Sequence, residues 1–438
     1  MAGNSSLTHG PIVKGVVLFA LPLLGTYLIQ QLYSAVDLLF VGNVLGTRAT
    51  AALGVGSLLI TCLVALFSGI AVGANVRVAN LVGAGDAVGV ARACQTSLLL
   101  GLVGGGALVV AGELLVVPFA SWMEIPPDAT QDAITYLRFA VAAALPIAVY
   151  NTCSGALRGL GDSRSPFTAQ LAGGLLNVAA NWVALCVLGM GVRGCAVATL
   201  FSNAVAAAIS ATLLMRSAGA AGCRGNRIDG GFARFVVSFG LPIAAQTLAI
   251  VLSNVLVQRQ VDLLGVEAVA AFAIYLKVEL PIYYPILAMG QATMTFVAQN
   301  VGAGDRARCV KGIRTCQVVG IVLTVALSAT MLGVGHGAFW LFDRNEAVIS
   351  LGLAMIFTTF PFYFIYAVLE VQADAMRGYG FSLAPAIAVL VNICVLRVVL
   401  VLLLGMDGTS VVEITSTYPI TWFTAAVSVI ACRKALRV

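Results

Sequence analysis

QQLYSAVDLLFVG, residues 30–42, lies inside the first long apolar run of the chain. Asp37, within this stretch, is the only charged residue between Lys14 and Arg48. An ionised carboxylate near the centre of a membrane helix costs about 2.5–3.5 kcal/mol on insertion scales. A site that carries this cost usually needs the charge, so Asp37 is a functional candidate. The nearby Gly42 leaves one alternative, in which Asp37 lies at a hydrated helix end.

The composition of the whole chain is that of a polytopic membrane protein. Hydrophobic residues make up 60% of the 438 residues, charged residues make up 10%, and the mean hydropathy is +1.01. Soluble domains have about 25% charged residues. The formal net charge of +6 does not indicate nucleic-acid binding, because the basic residues fall in short loops between apolar runs. The first run lacks an early small-residue cleavage site, so we expect it to stay as a helix.

Twelve apolar segments are long enough to cross a bilayer, which takes about 20 residues. Small residues, such as the three glycines at 104–106, are frequent in them and let membrane helices pack closely. The predicted fold class is an all-α polytopic membrane protein with twelve transmembrane helices. The segments lie near residues 14–41, 51–76, 94–118, 135–156, 167–188, 194–215, 235–261, 269–296, 316–335, 347–375, 386–404 and 412–432.

Three motifs occur twice, at offsets of 220, 219 and 219 residues, which indicates an internal duplication. Glycine-containing turns between helices are expected on backbone grounds, which favours a structural role for the two turn motifs. The pairs are Leu21-Pro22 with Leu241-Pro242, VGAGD at 82–86 with VGAGD at 301–305, and RGLG at 158–161 with RGYG at 377–380.

The duplication predicts two pseudo-symmetric lobes of six helices each, an N-terminal lobe over residues 1–215 and a C-terminal lobe over 235–438. A cytoplasmic linker over 216–234 joins them. Because six is even, both lobes insert with the same orientation and are related by an axis along the membrane normal. Such a protein with charges inside its helices suggests alternating access, in which one lobe rocks against the other around a site near the midplane.

The basic residues predict the orientation. When the N-terminus is placed in the cytoplasm, 17 of the 24 Lys and Arg residues fall on the cytoplasmic side. Only Arg48, Arg193 and Arg344 fall on the outer side. The positive-inside rule therefore predicts a multi-pass protein of the plasma (inner) membrane with both termini in the cytoplasm.

Asp37 has candidate partners in the same lobe. A carboxylate in a low-dielectric pocket can take up a proton, or it can hold Na⁺ together with neutral oxygen ligands. Asn177 and Asn181 are four residues apart, hence on one helical face, and Thr199 lies in the next segment. Their side chains supply donors to a carboxylate and oxygens to a cation. Polar contact between helices, which is common in membrane bundles, is the alternative reading of these three residues.

The second half has its own candidates. Glu370 and Asp374 are four residues apart and share a helical face, whereas Lys277 and Glu279 are two apart and do not face each other. Gln258 is a candidate pore-lining amide. Several aromatic residues could stack on a flat organic cation, although ordinary lipid or helix contact is the simpler reading for each. They are Tyr33, Tyr283, Tyr284, Phe362 and Tyr366.

Metal, redox and enzyme chemistry find no support in the residue pattern. The ten cysteines are scattered, there is no CxxC, and the chain has two histidines. We therefore expect no metal centre, no disulfide framework and no cofactor beyond a coupling ion, H⁺ or Na⁺. HExxH and Ser/His pairings are also absent from the sequence, so we expect a protein that is not an enzyme.

Taken in order, and in both halves, the motifs resemble the multidrug and toxic compound extrusion (MATE) family over about residues 11–432. The resemblance rests on QQLYSAVDLLFVGNVLG at 30–46, AALGVG at 51–56, LVGAGD at 81–86, LRGLGDSRSP at 157–166, VAQNVGAGD at 297–305 and EVQADAMRGYG at 370–380.

The resemblance implies two six-helix lobes in a V-shaped fold and export of organic cations or other amphipathic compounds against inward H⁺ or Na⁺. In the bacterial branch with a cation site in the N-terminal lobe, Asp37 falls on the first-helix aspartate and Thr199 on a sixth-helix threonine. The fifth-helix Asn-x-x-x-Asp pattern falls on Asn177 and Asn181. Asn181 stands where that pattern has an acid, which weakens the case for a sodium site and favours proton coupling through Asp37. Other members carry acids of a second-lobe cation site in helices seven and ten. This chain has Glu370 in segment ten but no acid within the core of segment seven, so only half of that pattern is present.

A flippase for lipid-linked precursors is the alternative function within the related superfamily. Such a protein would favour a strongly cationic cleft, whereas basic residues inside these helices are few, namely Arg259, Lys277 and Arg397. The expected partners are small amphipathic or cationic organic substrates and membrane lipid, without nucleic acid. We expect a monomer.

Overall fold

The computed structural model describes residues 7–122, 127–220, 228–404 and 410–437. Within these ranges, side chains are outside the description at residues 34, 36–60, 119–120, 122, 127–130, 132–133 and 220. The described residues form helices joined by turns and contain no strand.

The described residues of the first half form six α-helices, and a π-helical turn at Trp182–Val187 follows the fifth. They are α1 (Ile12–Gly83), α2 (Ala87–Trp122), α3 (Pro127–Ala142), α4 (Ala144–Gly159), α5 (Arg164–Asn181) and α6 (Gly191–Ala220).

The second half carries nine helices in its described residues, with a 3-10 turn at Phe360–Phe362 and a π-helical turn at Leu390–Leu396. They are α7 (Gly230–Asp262), α8 (Val266–Val278), α9 (Leu280–Gly302), α10 (Arg306–Phe342), α11 (Glu346–Thr359), α12 (Tyr363–Gly378), α13 (Leu383–Val389), α14 (Arg397–Leu404) and α15 (Val411–Ala435).

Eleven stretches of the described chain are long and apolar enough to cross a membrane, which confirms the predicted all-α polytopic membrane fold. They are Ile12–Tyr33, Thr61–Gly83, Ala87–Pro118, Ile134–Gly159, Arg164–Val187, Gly191–Gly219, Gly230–Asp262, Arg306–Phe342, Glu346–Gly378, Leu383–Leu404 and Val411–Ala435.

The remaining predicted segment, 269–296, is divided between α8 and α9 at Glu279. Pro281 occupies the first turn of α9, where its missing N–H is tolerated, but the same proline disfavours an unbroken helix. Lys277 and Glu279 fall at this break. The sequence therefore placed a helix here correctly but missed its division.

The structure also differs from the prediction at the start of the chain. The segments near 14–41 and 51–76 fall in one helical element, α1, which contains the two apolar stretches Ile12–Tyr33 and Thr61–Gly83. The proline inside α1 is Pro22, so no residue from 23 to 60 lacks the N–H that a continuing helix requires.

The repeated VGAGD turns have matching geometry in the two halves. Gly85 and Gly304 have φ values of +70° and +76°, a left-handed conformation that favours glycine. Asp86 Oδ1 accepts the backbone N–H of Gly89, and Asp305 Oδ1 accepts that of Arg308, each at 2.8 Å. The aspartates thus cap the following helices, α2 and α10, which agrees with a structural role for the motif.

Glycines bring helices of the first half into close approach. A Cβ at Gly105 of α2 would lie 2.8 Å from Leu145 Cα of α4. A Cβ at Gly173 of α5 would lie 3.0 Å from Ala206 Cβ of α6. The small residues noted in the sequence therefore lie at helix contacts, as expected for membrane bundles.

The chain forms two compact units. Unit 1 contains Gly25–Ala244, and unit 2 contains Leu7–Leu24 together with Ala245–Val438. The core of unit 1 includes Leu157 and Phe232, and the core of unit 2 includes Tyr275, Phe339 and Trp422.

The predicted lobe limits, 1–215 and 235–438, remain a prediction, because they divide the chain by duplication whereas the units divide it by packing. Helical structure extends into both ends of the predicted 216–234 linker, since α6 ends at Ala220 and α7 begins at Gly230. Residues 221–227 of the linker lie outside the described residues.

Candidate functional site

A chain of hydrogen bonds connects α5 and α6 inside unit 1. Asn181 Nδ2 donates to Asn177 Oδ1 at 3.1 Å, and Asn177 Nδ2 donates to Ser202 Oγ at 3.4 Å. The Ser202 hydroxyl in turn donates to the backbone carbonyl of Thr199 at 3.0 Å. All four residues are buried. The structure thus brings together three predicted site residues and adds Ser202; we call these four residues the α5–α6 cluster.

Local sequence explains this arrangement. The four-residue spacing of Asn177 and Asn181 places both amides on one face of α5. Ser202 follows Thr199 by three residues on α6, so both face the same neighbour. Gly173 lets α6 approach until a Cβ at that position would lie 3.1 Å from the Ser202 carbonyl oxygen.

The same region of α6 contacts α1 near Asp37. Asn203 Nδ2 donates to the Tyr33 hydroxyl at 3.5 Å and to the Thr199 carbonyl at 2.8 Å. Tyr33 precedes Asp37 by one helical turn, so the two positions share a face of α1. The Asp37 side chain lies outside the description, and its predicted role remains a prediction. Neither Ser202 nor Asn203 was singled out from the sequence, although both lie within one turn of Thr199.

The α5–α6 cluster is rich in oxygen atoms with spare acceptor capacity. Among the described residues, the buried Thr199 hydroxyl has no hydrogen-bond partner. A buried polar atom without a partner is costly, so this hydroxyl is available to a further group. Amide and hydroxyl oxygens can support a carboxylate through their donors or a cation through their lone pairs. The described residues contain no group of three His, Cys, Asp or Glu side chains that could hold a metal ion.

Unit 2 contains two acidic side chains on α12, of which Asp374 is buried and Glu370 is half-buried. Glu370 Oε1 accepts a hydrogen bond from the Tyr366 hydroxyl at 2.9 Å. Asp374, one turn later, forms a salt bridge with Arg377 at 2.6 Å, with exposed side-chain fractions of only 6% and 9%. Arg377 also donates to Gln246 Oε1 of α7 at 3.0 Å. The acid at 374 is thus neutralised locally, whereas Glu370 has only a tyrosine hydroxyl as its hydrogen-bond partner in the described chain.

Within the described chain, no hydrogen bond or ion pair joins the other three candidates of the second half directly to this pair. Glu279, at the break between α8 and α9, accepts from the Tyr363 hydroxyl at 2.6 Å. Lys277 is exposed and makes no hydrogen bond or ion pair with any described residue. Gln258 donates to Asp262 at 2.7 Å near the end of α7. No contact links Gln258 or Lys277 to Glu370 within the described part of the chain.

An aromatic cluster lies beside Glu279 and Glu370. The Tyr283 and Tyr366 rings stack at 5.7 Å between centroids, and Trp422 lies 5.5 Å from Tyr366 and 4.6 Å from Tyr363. Tyr363 and Trp422 were not identified from the sequence. The only sequence signal for Tyr363 is its position three residues before Tyr366 on α12, which places both on one face.

Buried charges inside a duplicated bundle of membrane helices are typical of transporters. The sequence model of the MatE family matches this chain twice, over residues 22–183 and 242–403, which agrees with the internal duplication. The chain therefore belongs to the MATE family of transporters.

Curated relatives and solved structures agree with this assignment. The chain is 23% identical over 394 residues to the probable multidrug resistance protein NorM of Thermotoga maritima, covering 88% of this chain and 84% of that one. It is 24% identical over 413 residues to the FAD transporter of Shewanella oneidensis, covering 92% and 89%.

Among solved structures, a MATE protein crystallised in complex with MaL6 matches with a TM-score of 0.92 at 21% identity, over 99% of this chain and 98% of that chain. An outward-facing multidrug resistance MATE family transporter matches with a TM-score of 0.90, at the same identity and coverage. At this identity the structural likeness establishes the fold.

Proposed function

We propose that this protein exports small amphipathic or cationic organic compounds by antiport with H⁺ or Na⁺. The observation that carries the proposal is the buried α5–α6 cluster, which lies within one residue of the Asn203–Tyr33 contact to α1. Tyr33 lies on α1, and Asp37 follows Tyr33 by one turn of the same helix. Relatives named as multidrug resistance proteins support the substrate class.

Asp37 is the coupling group in this proposal. Its carboxylate is neutralised either by a proton or by Na⁺ held with the oxygens of Asn177, Asn181 and Thr199. Binding of the ion removes a charge from a membrane helix and so changes the relative free energies of two conformations, which is the requirement for alternating access. Asn181 supplies no negative charge, and we therefore favour H⁺ over Na⁺.

The aromatic cluster of unit 2 supports recognition of a flat organic cation. Tyrosine and tryptophan faces attract cations, and Glu370 and Glu279 lie next to these rings. The proposed cycle uses no cofactor beyond the coupling ion.

The protein is placed in the plasma (inner) membrane with both termini in the cytoplasm. Support comes from the 17 basic residues on the predicted cytoplasmic side and from the bacterial origin of the relatives named above. A monomer in contact with membrane lipid is sufficient for the cycle. The buried Arg377 is paired with Asp374, which counts against the strongly cationic cleft that a flippase would favour.

The proposal is tested by efflux of a fluorescent organic cation from proteoliposomes, under a pH gradient or a sodium gradient imposed separately. Wild type is compared with Asp37→Asn and with Asp343→Asn, a control at the end of α10 whose asparagine retains the acceptor for the Asn345 backbone. We expect one gradient to drive efflux, Asp37→Asn to abolish it, and Asp343→Asn to leave it unchanged. Efflux by Asp37→Asn at the wild-type rate would contradict the role of Asp37, and no response to either gradient would contradict antiport.

A further inference from the structure

A chain of side-chain hydrogen bonds connects three helices of unit 2. Arg433 of α15 donates to Gln372 Oε1 of α12, and Gln372 Nε2 donates to Gln317 Oε1 of α10 at 2.8 Å. The Gln317 Nε2 atom at the end of this chain is buried and has no hydrogen-bond partner among the described residues. An amide nitrogen carries two donor hydrogens, so this group lacks an acceptor that a bound molecule could supply.

The side chains around this amide are positively charged. Arg314 lies one turn before Gln317 on α10, is exposed, and makes no hydrogen bond or ion pair with any described residue. Its guanidinium lies close enough to Arg433 to oppose the charge of that residue. Two like charges at close range are unfavourable unless an anion lies near both. Two arginines and an unsatisfied amide donor thus form an anion-binding arrangement between α10 and α15.

The first half of the chain shows that the repeated fold does not need these polar groups. At the offset of 219 residues, Gln317 and Gln372 correspond to Leu98 and Cys153. Cys153 is fully buried, so the equivalent helices of unit 1 pack with an apolar group at this position. The hydrogen-bonded chain is therefore a property of the second half alone.

One face of α10 is apolar beyond Arg314. Positions spaced by three and four residues lie on the same side of a helix. Counted from Arg314 toward the end of α10, these positions are occupied by Val318, Ile321, Val325 and Ser328. On α12, Val368 and Phe364 lie four and eight residues before Gln372 in the same way. The polar end of each helix face is thus continued by an apolar stripe.

The stripes lead to a groove of about 150 Å³ between α10 and the start of α12, which we call the α10–α12 groove. It is lined by Val325, Ser328, Phe360 and Phe364 among others, and Ser328 is its only polar lining residue. Ser328 is 5% exposed, and its hydroxyl has no hydrogen-bond partner in the described chain. Both helices lie in stretches long and apolar enough to cross a membrane, so hydrocarbon is the medium available to fill the groove.

The distance between the charged end and the groove fits one lipid chain. Eleven residues separate Arg314 from Val325, which corresponds to a rise of about 16.5 Å along α10. The hydrocarbon core of a bilayer is about 30 Å thick, so one leaflet contributes about half of that length. An acyl chain whose headgroup lies at Arg314 therefore ends at the α10–α12 groove.

We propose that unit 2 carries a binding site for one anionic phospholipid, with the phosphate at Arg314, Arg433 and Gln317 and an acyl chain in the α10–α12 groove. Guanidinium groups and an amide N–H are donors that match phosphate oxygens. Basic pockets between membrane helices on the cytoplasmic side are typical sites for anionic headgroups, and the proposed orientation puts the start of α10 on that side. A free phosphate ion would satisfy the arginines but would leave the groove unused.

The test is a lipid titration of the full-length protein in detergent, followed by native mass spectrometry. Phosphatidylglycerol and phosphatidylcholine with identical acyl chains are compared, and inorganic phosphate is added as a competitor. Arg314→Gln removes one charge of the site. Arg164→Gln is its control, because Arg164 is also exposed near the start of a helix and its side chain makes no hydrogen bond or ion pair in the described chain.

A second pair of variants tests the apolar part of the site. Ala329→Trp fills the α10–α12 groove, which Ala329 lines. Ala326→Trp is the control, because Ala326 is exposed on α10 but does not line the groove. Both alanines are exposed, so the larger side chain can be accommodated without repacking the core. Tm without added lipid checks that each variant is folded.

We expect wild type to bind phosphatidylglycerol more tightly than phosphatidylcholine. Arg314→Gln should raise the Kd for phosphatidylglycerol about fivefold, the effect of removing one basic residue that faces an anionic lipid. Ala329→Trp should weaken binding of both lipids, and the two controls should match wild type. Equal affinity for the two lipids, or equal effects of Arg314→Gln and Arg164→Gln, would overturn the site.

The competitor separates a lipid site from a site for a free anion. If inorganic phosphate displaces phosphatidylglycerol from wild type while Ala329→Trp binds this lipid as well as Ala326→Trp does, the lipid assignment is wrong. If Arg314→Gln fails to fold, the comparison of Ala329→Trp with Ala326→Trp decides by the same titration.

Discussion

The Asn181 side-chain amide donates to Asn177 Oδ1 at 3.1 Å, one turn earlier on α5. With an acid at position 181, the side chain could no longer donate to Asn177 Oδ1, and a cation could bind between the two oxygens. In this chain the N–H of Asn181 takes the place of that cation. The hydrogen bond thus gives a physical reason to favour proton coupling over a tightly held sodium ion.

The variant Asn181→Asp should make efflux respond to sodium. A second carboxylate beside Asn177 adds a Coulombic attraction for Na⁺ in a region of low dielectric. The measurement is the stimulation of efflux by an inward sodium gradient at constant pH. Asn151→Asp serves as the control, because Asn151 Nδ2 donates to the Ile147 carbonyl of its own helix and makes no other hydrogen bond with the described residues. An Asn181→Asp protein that responds to sodium no more than Asn151→Asp would contradict this reading of the α5–α6 cluster.

Asp374→Asn should destabilise the protein strongly. The change leaves the Arg377 guanidinium buried without its carboxylate, a loss of about 3–5 kcal/mol for a buried pair. The matched comparison is Glu113→Gln, which removes the Arg138–Glu113 contact at 3.8 Å, where the side chains are 58% and 42% exposed. Exposed pairs contribute about 0–1 kcal/mol. Thermal unfolding in detergent measures both variants, and equal losses of Tm would show that the Asp374–Arg377 pair is not buried as described.

Two neighbouring glycines of α2 should respond differently to substitution by alanine. Gly105→Ala places a methyl group 2.8 Å from Leu145 Cα, so we expect a loss of about 1–3 kcal/mol from overpacking. Gly106→Ala meets no atom within 4 Å and should be neutral, or stabilising by up to about 1 kcal/mol through helix propensity. Tm values of the two variants decide, and a more stable Gly105→Ala protein would refute the close approach of α2 and α4.

Much of the fold was predictable because membrane helices leave a strong signal in the sequence. Apolar length gave the helical segments, and the repeated VGAGD and RGxG turns gave the duplication that the two family matches support. The break at Glu279 was missed because apolar residues continue on both sides of Lys277. Pro281, two residues beyond the break, was the available signal.

The site was predictable only where its residues share a helix. The spacing of Asn177 and Asn181 predicted a common face, and their hydrogen bond agrees with that geometry. The contact of Gln317 with Gln372 spans 55 residues of sequence, and no local periodicity reports such a pair. Trp422 was missed for the same reason, since its partners Tyr363 and Tyr366 lie on a different helix.

The most direct test of the account is whether substrate movement drives ion movement. Proteoliposomes are loaded with an organic cation and a pH-sensitive dye, then diluted into substrate-free buffer at equal pH and without sodium. We predict that substrate leaving through wild type drives protons inward and acidifies the lumen, and that Asp37→Asn shows neither flux. If substrate leaves through wild type and the lumenal pH does not change, proton antiport through Asp37 is contradicted. This holds in the absence of sodium and equally with sodium outside.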